Sequence, residues 1–256
     1  MFAFMQVADP IEQFEVNKVL PIENVFGYDL SFTNASAFMV LGVVLVIALF
    51  GYTATRTSLV PTRIQSIGEL GYEFVADMIR GVAGEEGLKF FPFVFTLFFF
   101  ILATNIIGMV PYNFTTTSHV IVTGALSLLV IGIVIIYGLF KNGLTFFRLF
   151  APPGAPWPIY IILIPIEVIS FLARPLTLAL RLFANMLAGH IMLKLFAGFA
   201  VALLSAGAVY IPLALLSFGM GVALNALEFL VAFLQAYVFA ILTCVYLNDA
   251  LHPVHH

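Results

Sequence analysis

Five long apolar runs, separated by short polar stretches, dominate the hydrophobicity pattern of the chain. Three have the length of a single membrane-spanning helix: residues 37–53, 91–110 and 120–140. The last two, residues 159–205 and 210–247, are too long for one perpendicular crossing. No polar cluster interrupts either of them, and an internal proline only kinks a helix. We therefore expect two long, tilted helices that pack as an antiparallel hairpin over about residues 159–248.

A different pattern covers residues 62–84. Apolar residues recur there with the helical period, and charged residues such as Glu69, Glu73 and Asp77 occupy the opposite side. This arrangement predicts an amphipathic helix that lies in the plane of the membrane. Residues 1–36 are polar and acidic, and they predict an outer N-terminal segment ahead of a single membrane domain formed by residues 37–256.

The composition supports an all-α integral membrane protein with about five membrane-embedded helices and one in-plane helix. Hydrophobic residues make up 62% of the chain and charged residues only 9%, whereas globular proteins are about 25% charged. The ten basic residues are too scattered to bind nucleic acid. The sequence contains no glycine-rich phosphate-binding loop that would indicate a bound nucleotide. No pattern of residues indicates a metal or another cofactor.

Basic residues predict the orientation in the membrane. Residues 54–90 and 141–158 together hold six Lys and Arg, against one in residues 1–36 and none in residues 112–118. Because basic loops stay on the inner side, we expect the N-terminus outside and, after five crossings, the C-terminus inside.

Each of the two long segments carries one polar stripe at helical spacing. The first stripe has Arg181 near its middle and consists of Glu167, Ser170, Arg174, Thr177, Arg181 and Asn185. The second stripe consists of Ser217, Gly221, Asn225, Glu228, Ala232 and Gln235. A central arginine costs roughly 2.5–3.5 kcal/mol on membrane-insertion scales. Because the helix carries the arginine despite this cost, we expect the charge to have a function.

Antiparallel pairing of the two stripes predicts where the titratable groups meet. His190 and Glu228 then lie together toward the outer side, while Arg181 and Gln235 lie near mid-membrane. Glu167 lies about 21 Å inward from Arg181 along the helix axis, and Asp249 ends the last helix on the same inner side.

This separation predicts two proton paths that do not join. Histidine and carboxylates can pass protons near neutral pH, whereas Arg181 stays protonated and repels a proton from either side. A partner helix with a carboxylate, packed on the small residues beside the stripes, would carry the proton past Arg181.

Structural alternatives exist for each of these residues. Arg181 could bond free carbonyl groups near Pro175, and His190 with Glu228 could simply lock two helices together. Glu167 could cap a helix end, and Asp249 could be solvated near the chain end. Asn185 and Gln235 could be interhelical hydrogen-bonding groups.

Three sequence motifs resemble subunit a of F-type ATP synthases. They are L-A-L-R-L-F-A-N-M-L-A-G-H at residues 178–190, L-Q-A-Y-V-F-A-I-L-T-C-V-Y-L-N-D-A at residues 234–250, and T-N-I-I-G-M-V-P at residues 104–111. The resemblance covers about residues 60–250. The order of His190 and Glu228 is similar to that of the mitochondrial and alphaproteobacterial branch.

The resemblance implies a role for each matching residue. Arg181 matches the essential arginine that faces the rotating c-ring, with Asn185 and Gln235 as polar residues beside it. His190 and Glu228 match a pair in the outer half-channel. Glu167 matches an acid on the inner path, to which we also assign Asp249. Gly108 replaces an acid that some bacterial members carry.

The implied protein is a proton-translocating stator subunit that has no catalytic activity alone and binds no cofactor. Its implied partners are the c-ring, peripheral-stalk b-type subunits and membrane lipids. Its implied location is an energy-coupling inner membrane, either the bacterial plasma membrane or the mitochondrial inner membrane. A proton-coupled secondary transporter and a purely structural membrane anchor remain the alternatives.

Overall fold

The computed structural model describes residues 18–20, 31–55, 62–110, 115–143, 146 and 157–251. Within these ranges the chain forms six α-helices and one short two-stranded antiparallel sheet. The strands are β1 (Lys18–Leu20) and β2 (Phe32–Thr33). The helices are α1 (Asn34–Thr55), α2 (Arg63–Gly87), α3 (Phe91–Gly108), α4 (Val120–Asn142), α5 (Trp157–Ala206) and α6 (Ile211–Leu251).

The all-helical membrane fold predicted from the sequence is confirmed. Five stretches of the described chain are long and apolar enough to cross a membrane: α1, the Arg63–Gly108 stretch that ends with α3, α4, and the two stretches that contain α5 and α6. Helix α5 continues for 50 residues through Pro165 and Pro175, and α6 continues for 41 residues. The tilt of both helices in the membrane stays a prediction.

Helix α2 covers the segment predicted to be amphipathic. Thr62 caps its first turn, because the Thr62 side chain accepts a hydrogen bond from the backbone N–H of Gln65. Val75 and Ile79 are fully or almost fully buried, while the charged side is exposed. The helix continues past the predicted end to Gly87. It bends at Gly84, whose φ of 65° favours glycine. Its in-plane orientation stays a prediction.

The chain divides into two compact units, the first of which contains the described parts of residues 1–45, 101–119 and 182–235. The interior of this unit combines apolar and polar side chains. Leu182 and Met186 of α5 are completely buried, and so are Asn105 of α3 and Ala232 of α6. This unit therefore buries polar groups that need partners inside the protein.

The second unit contains the described parts of residues 46–100, 120–181 and 236–256. Aromatic rings of this unit pack against one another, and Phe98 among them is buried. The Phe50 ring packs edge-on against Phe95 and Phe99, at centroid distances of 4.7 and 4.6 Å, and Phe74 packs against Phe98 and Tyr237. Edge-to-face ring pairs stabilise such a core beyond simple burial of area.

Candidate functional site

The polar stripes of α5 and α6 contact one another within the first unit. The hydroxyl of Ser217 donates to the carbonyl of Phe196 at 2.9 Å. His190 faces Glu228, and the Asn185 side-chain amide donates to Gln235 Oε1 at 3.0 Å. Residue numbers on α5 fall as those on α6 rise, so the two helices are antiparallel in this unit. The polar positions therefore form a continuous series along the contact.

The central members of this series are the imidazole of His190 and the carboxyl group of Glu228. His190 Nδ1 lies 3.4 Å from Glu228 Oε1, and the two residues are only 7% and 5% exposed. Neither carboxyl oxygen of Glu228 makes a hydrogen bond to another described residue. The two buried titratable groups therefore face one another just beyond hydrogen-bond reach, and a small movement would bring them within the distance that proton transfer requires.

Gly189 allows the Glu228 side chain to come this close to α5. A β-carbon at position 189 would lie 2.7 Å from Glu228 Oε1 and 3.0 Å from its carboxyl carbon. Those separations are shorter than van der Waals contact, so any larger residue would displace the carboxyl group. The glycine next to His190 thus permits the close approach of the two titratable groups.

Thr115 is a partner of His190 that the sequence did not indicate. Its buried hydroxyl lies 2.9 Å from His190 Nε2, and it donates to the carbonyl of Gly108 at 3.3 Å. Thr115 belongs to the segment between α3 and α4, which the sequence analysis used only because it contains no basic residue. The one available signal was the run of hydroxyl residues Thr115–Ser118, all of which are buried.

Gly108 makes room for this threonine. A β-carbon at position 108 would lie 2.8 Å from the Thr115 methyl group. A larger residue at position 108 would therefore displace the Thr115 side chain. Thr115 occupies that space and contacts His190.

Asn105 is a second group whose role the sequence did not predict, although it lies in one of the quoted motifs. Its side-chain amide donates to the carbonyl of Ala232 at 3.2 Å and so connects α3 to α6 within the first unit. Its oxygen Oδ1 has no hydrogen bond to a described residue, although the side chain is completely buried.

Within the second unit, Arg174 and Asp249 form an ion pair. Arg174 Nη1 lies 2.7 Å from Asp249 Oδ2, and the guanidinium lies over the rings of Tyr246 and Phe171, at 5.1 and 5.6 Å from their centroids. From the sequence we expected Asp249 on the inner proton path and Arg174 only as a member of the polar stripe on α5. The structure makes them partners, so the charge of Asp249 is compensated inside the chain.

Arg181 differs from Arg174 in this respect. Its side chain is exposed, and within the described residues it forms neither a hydrogen bond nor an ion pair. Its charge acts electrostatically on Tyr246 of the same unit. The cation thus stands on the surface of an apolar helix without a carboxylate partner among the described residues.

The remaining predicted residues have simpler environments. Glu167 is half-buried in the first third of α5. Gln235, which we expected opposite Arg181, makes its hydrogen bond to Asn185, one turn further along α5. Among the described residues, no group of three or more His, Cys, Asp or Glu side chains is arranged to hold a metal ion.

Comparison with known proteins extends the resemblance seen in the sequence motifs over nearly the whole chain. The sequence model of the ATP synthase A chain family matches residues 36–248. The chain is 73% identical to ATP synthase subunit a of Hyphomonas neptunium over 97% of its own length and 98% of that protein. It is 59% identical to ATP synthase subunit a of Mesorhizobium japonicum, over 96% of this chain and 98% of that one. The same identity is found with Brucella canis ATP synthase subunit a, over 96% and 99%.

Proposed function

The chain belongs to the ATP synthase subunit a family, and from this premise we propose that Arg181 separates two offset half-channels through which the protein translocates protons. Membership of the family makes the chain the proton-translocating stator subunit of an F-type ATP synthase. It is a membrane subunit that assembles with the ATP synthase complex and has no catalytic activity alone. The family favours this function over a secondary transporter or a structural anchor.

The observation that carries the half-channel proposal is the contrast between the two arginines of α5. Arg174 is neutralised by Asp249 within the chain, whereas Arg181 is exposed and has no carboxylate partner among the described residues. A cation on an apolar helix is costly unless it is compensated. We therefore assign its compensating carboxylate to another subunit, and the c-ring is the partner that the proposal requires.

The outer half-channel ends, in this proposal, at the His190–Glu228 pair. Its support is the 3.4 Å separation of two buried titratable groups that face one another. A proton that reaches this pair would pass to the c-ring carboxylate near Arg181, with Asn185 and Gln235 as the polar groups beside that transfer. Each proton that crosses the membrane releases about 2.3 kcal/mol per 100 mV of potential.

The inner half-channel is assigned to Glu167 and Asp249. The side chain of Glu167 is half-buried and makes no hydrogen bond or ion pair to another described residue. Asp249 has a more restricted role, because Arg174 holds one of its oxygens at 2.7 Å. In this proposal Asp249 attracts the proton, and Glu167 exchanges it with the inner solution.

The other assignments follow from the same premise. We propose that peripheral-stalk b-type subunits and membrane lipids surround the apolar outer faces of the helices. The proposed membrane is an energy-coupling one, the bacterial plasma membrane or the mitochondrial inner membrane, with the N-terminus outside and the C-terminus inside. The six basic residues of residues 54–90 and 141–158 support this orientation.

Substitution of Arg181 tests the proposal directly. The complete ATP synthase carrying Arg181→Ala is reconstituted into vesicles, and ATP synthesis is measured under an imposed pH gradient and membrane potential. We expect a loss of at least about 100-fold, because proton transfer through the c-ring is no longer forced around the arginine. Arg80→Ala, which removes an exposed arginine paired only with surface acids, is the matched control and retains synthesis.

Unchanged coupled synthesis in the Arg181→Ala complex contradicts the proposal. Repeating the measurement over a range of sodium concentrations at fixed pH identifies the coupling ion, because a proton-coupled rate does not depend on sodium.

A further inference from the structure

The hydroxyl of Thr115 lies between two groups with different hydrogen-bonding requirements. On one side it donates to the carbonyl of Gly108 in the last turn of α3, at 3.3 Å. On the other side it lies 2.9 Å from Nε2 of His190. Thr115 is completely buried and His190 is 7% exposed, so this contact is shielded from bulk solvent.

The available protons determine the direction of these bonds. A threonine hydroxyl has one proton to donate and lone pairs to accept, and a backbone carbonyl only accepts. When the Thr115 proton points to Gly108, a lone pair of Oγ1 faces His190, and Nε2 must carry a proton to bond with it. In the neutral ring the other nitrogen, Nδ1, is then unprotonated.

The unprotonated Nδ1 is the nitrogen that faces Glu228. It lies 3.4 Å from Oε1 of that residue. When the two atoms close to hydrogen-bond distance, a protonated Glu228 transfers its proton to Nδ1: the O–H bond breaks and an N–H bond forms. The resulting imidazolium has a partner for each N–H, with Glu228 at Nδ1 and Thr115 at Nε2. The opposite tautomer would place a hydrogen on Nδ1 and leave no lone pair to accept the proton.

We propose that Thr115 is a positioning residue that holds His190 in the tautomer able to accept a proton from Glu228. This inference rests on the proposed function of the His190–Glu228 pair in the outer half-channel. Thr115 itself neither gains nor loses a proton overall. It accepts the Nε2–H bond in both states of the ring, and the carbonyl of Gly108 fixes the direction of its own proton.

The test compares Thr115→Val with Thr115→Ser in the complete ATP synthase reconstituted into vesicles. The rate of ATP synthesis is measured against the pH on the proton-entry side, at a fixed membrane potential. Valine keeps the shape of threonine but cannot accept from Nε2–H, which disfavours the imidazolium. We expect the pH of half-maximal rate to fall by about one unit and the maximal rate to fall several-fold. Serine keeps the hydroxyl, and we expect the original profile.

A neighbouring residue provides a matched control. Thr117 is also completely buried, two positions further along the same segment, and its hydroxyl makes no hydrogen bond to another described residue. We expect Thr117→Val to leave the pH profile in place. Among the described residues, Glu228 on α6 and Lys194 on its own helix are charged groups that act on His190, and both are unchanged in all of these variants.

The outcomes separate a positioning role from a purely structural one. If Thr115→Val lowers the rate equally at all pH values, or if Thr115→Ser fails to restore the profile, the inference is wrong. If the valine variant does not assemble, Thr115→Cys, whose thiol is a weak acceptor, carries the same test. If the valine and cysteine variants both fail to assemble while the serine variant assembles, Thr115 has a folding role and the inference is wrong.

The same vesicles distinguish this inference from the proposed function. Coupled synthesis in Arg181→Ala contradicts the proposed function itself. A severe loss in Arg181→Ala together with an unshifted profile in Thr115→Val contradicts only the role of Thr115.

Discussion

At the scale of single residues, the short distance between His190 and Glu228 depends on the absence of a side chain at position 189. Gly189 precedes His190 on α5, and a β-carbon there would lie 2.7 Å from Glu228 Oε1. Helical spacing predicted from the sequence that His190 and Glu228 face one another. It could not predict the small space between them, because that space depends on how closely the helix backbones approach.

Gly189→Ala should therefore impair proton transfer without removing a titratable group. The added methyl group moves the Glu228 carboxyl away from Nδ1, and displacements of about 1 Å lower rates by about 10- to 100-fold. ATP-driven proton pumping in vesicles measures the effect. Gly132→Ala in α4, where an added β-carbon meets no atom within 4 Å, is the control and should pump normally. A normal rate in Gly189→Ala would show that the close approach has no functional importance.

At the scale of elements, the two long helices are joined by polar contacts at several levels. In the first unit Ser217 bonds to Phe196, and Gln235 bonds to Asn185. In the second unit Arg174 and Asp249 form the ion pair. The sequence predicted the antiparallel hairpin and its polar stripes. It did not predict the Arg174–Asp249 pair, because Asp249 was interpreted only by its place near the end of a helix.

Removal of either member of the Arg174–Asp249 pair should destabilise the protein. The side chains are only 24% and 11% exposed, so a single substitution to alanine leaves a poorly solvated charge. We expect a loss of about 1–3 kcal/mol, measured by unfolding of the purified complex, and partial recovery when both residues are replaced by alanine. Lys141→Ala breaks a more exposed pair with Glu86 and should cost only about 0–1 kcal/mol. Equal effects of the two substitutions would contradict this assignment.

At the scale of the whole molecule, five apolar stretches and an uneven distribution of basic residues predict the membrane topology. The single cysteine, Cys244, is buried. New cysteines can therefore be labelled against a low background, which makes the orientation directly measurable.

Two cysteine substitutions should react on opposite sides of the membrane. Ala208 is exposed in the connection between α5 and α6, and Glu85 is exposed near the end of α2. In right-side-out vesicles, an impermeant maleimide should label Ala208→Cys and leave Glu85→Cys unlabelled. Detergent-opened vesicles, in which both should react, provide the control. The reverse labelling pattern would invert the proposed orientation.

The amino-acid sequence was enough to predict the helical membrane fold, the five apolar stretches and the faces of α5 and α6 that carry polar residues. Those properties follow from composition and from the 3.6-residue period, which are local. Only the tertiary structure decided that Thr115 contacts His190, that Asn105 bonds to Ala232 and that Arg174 binds Asp249. These contacts join residues far apart in the chain, and they depend on backbone approach and side-chain rotamers. A stripe at helical spacing shows which residues share a face, but packing decides which atoms meet.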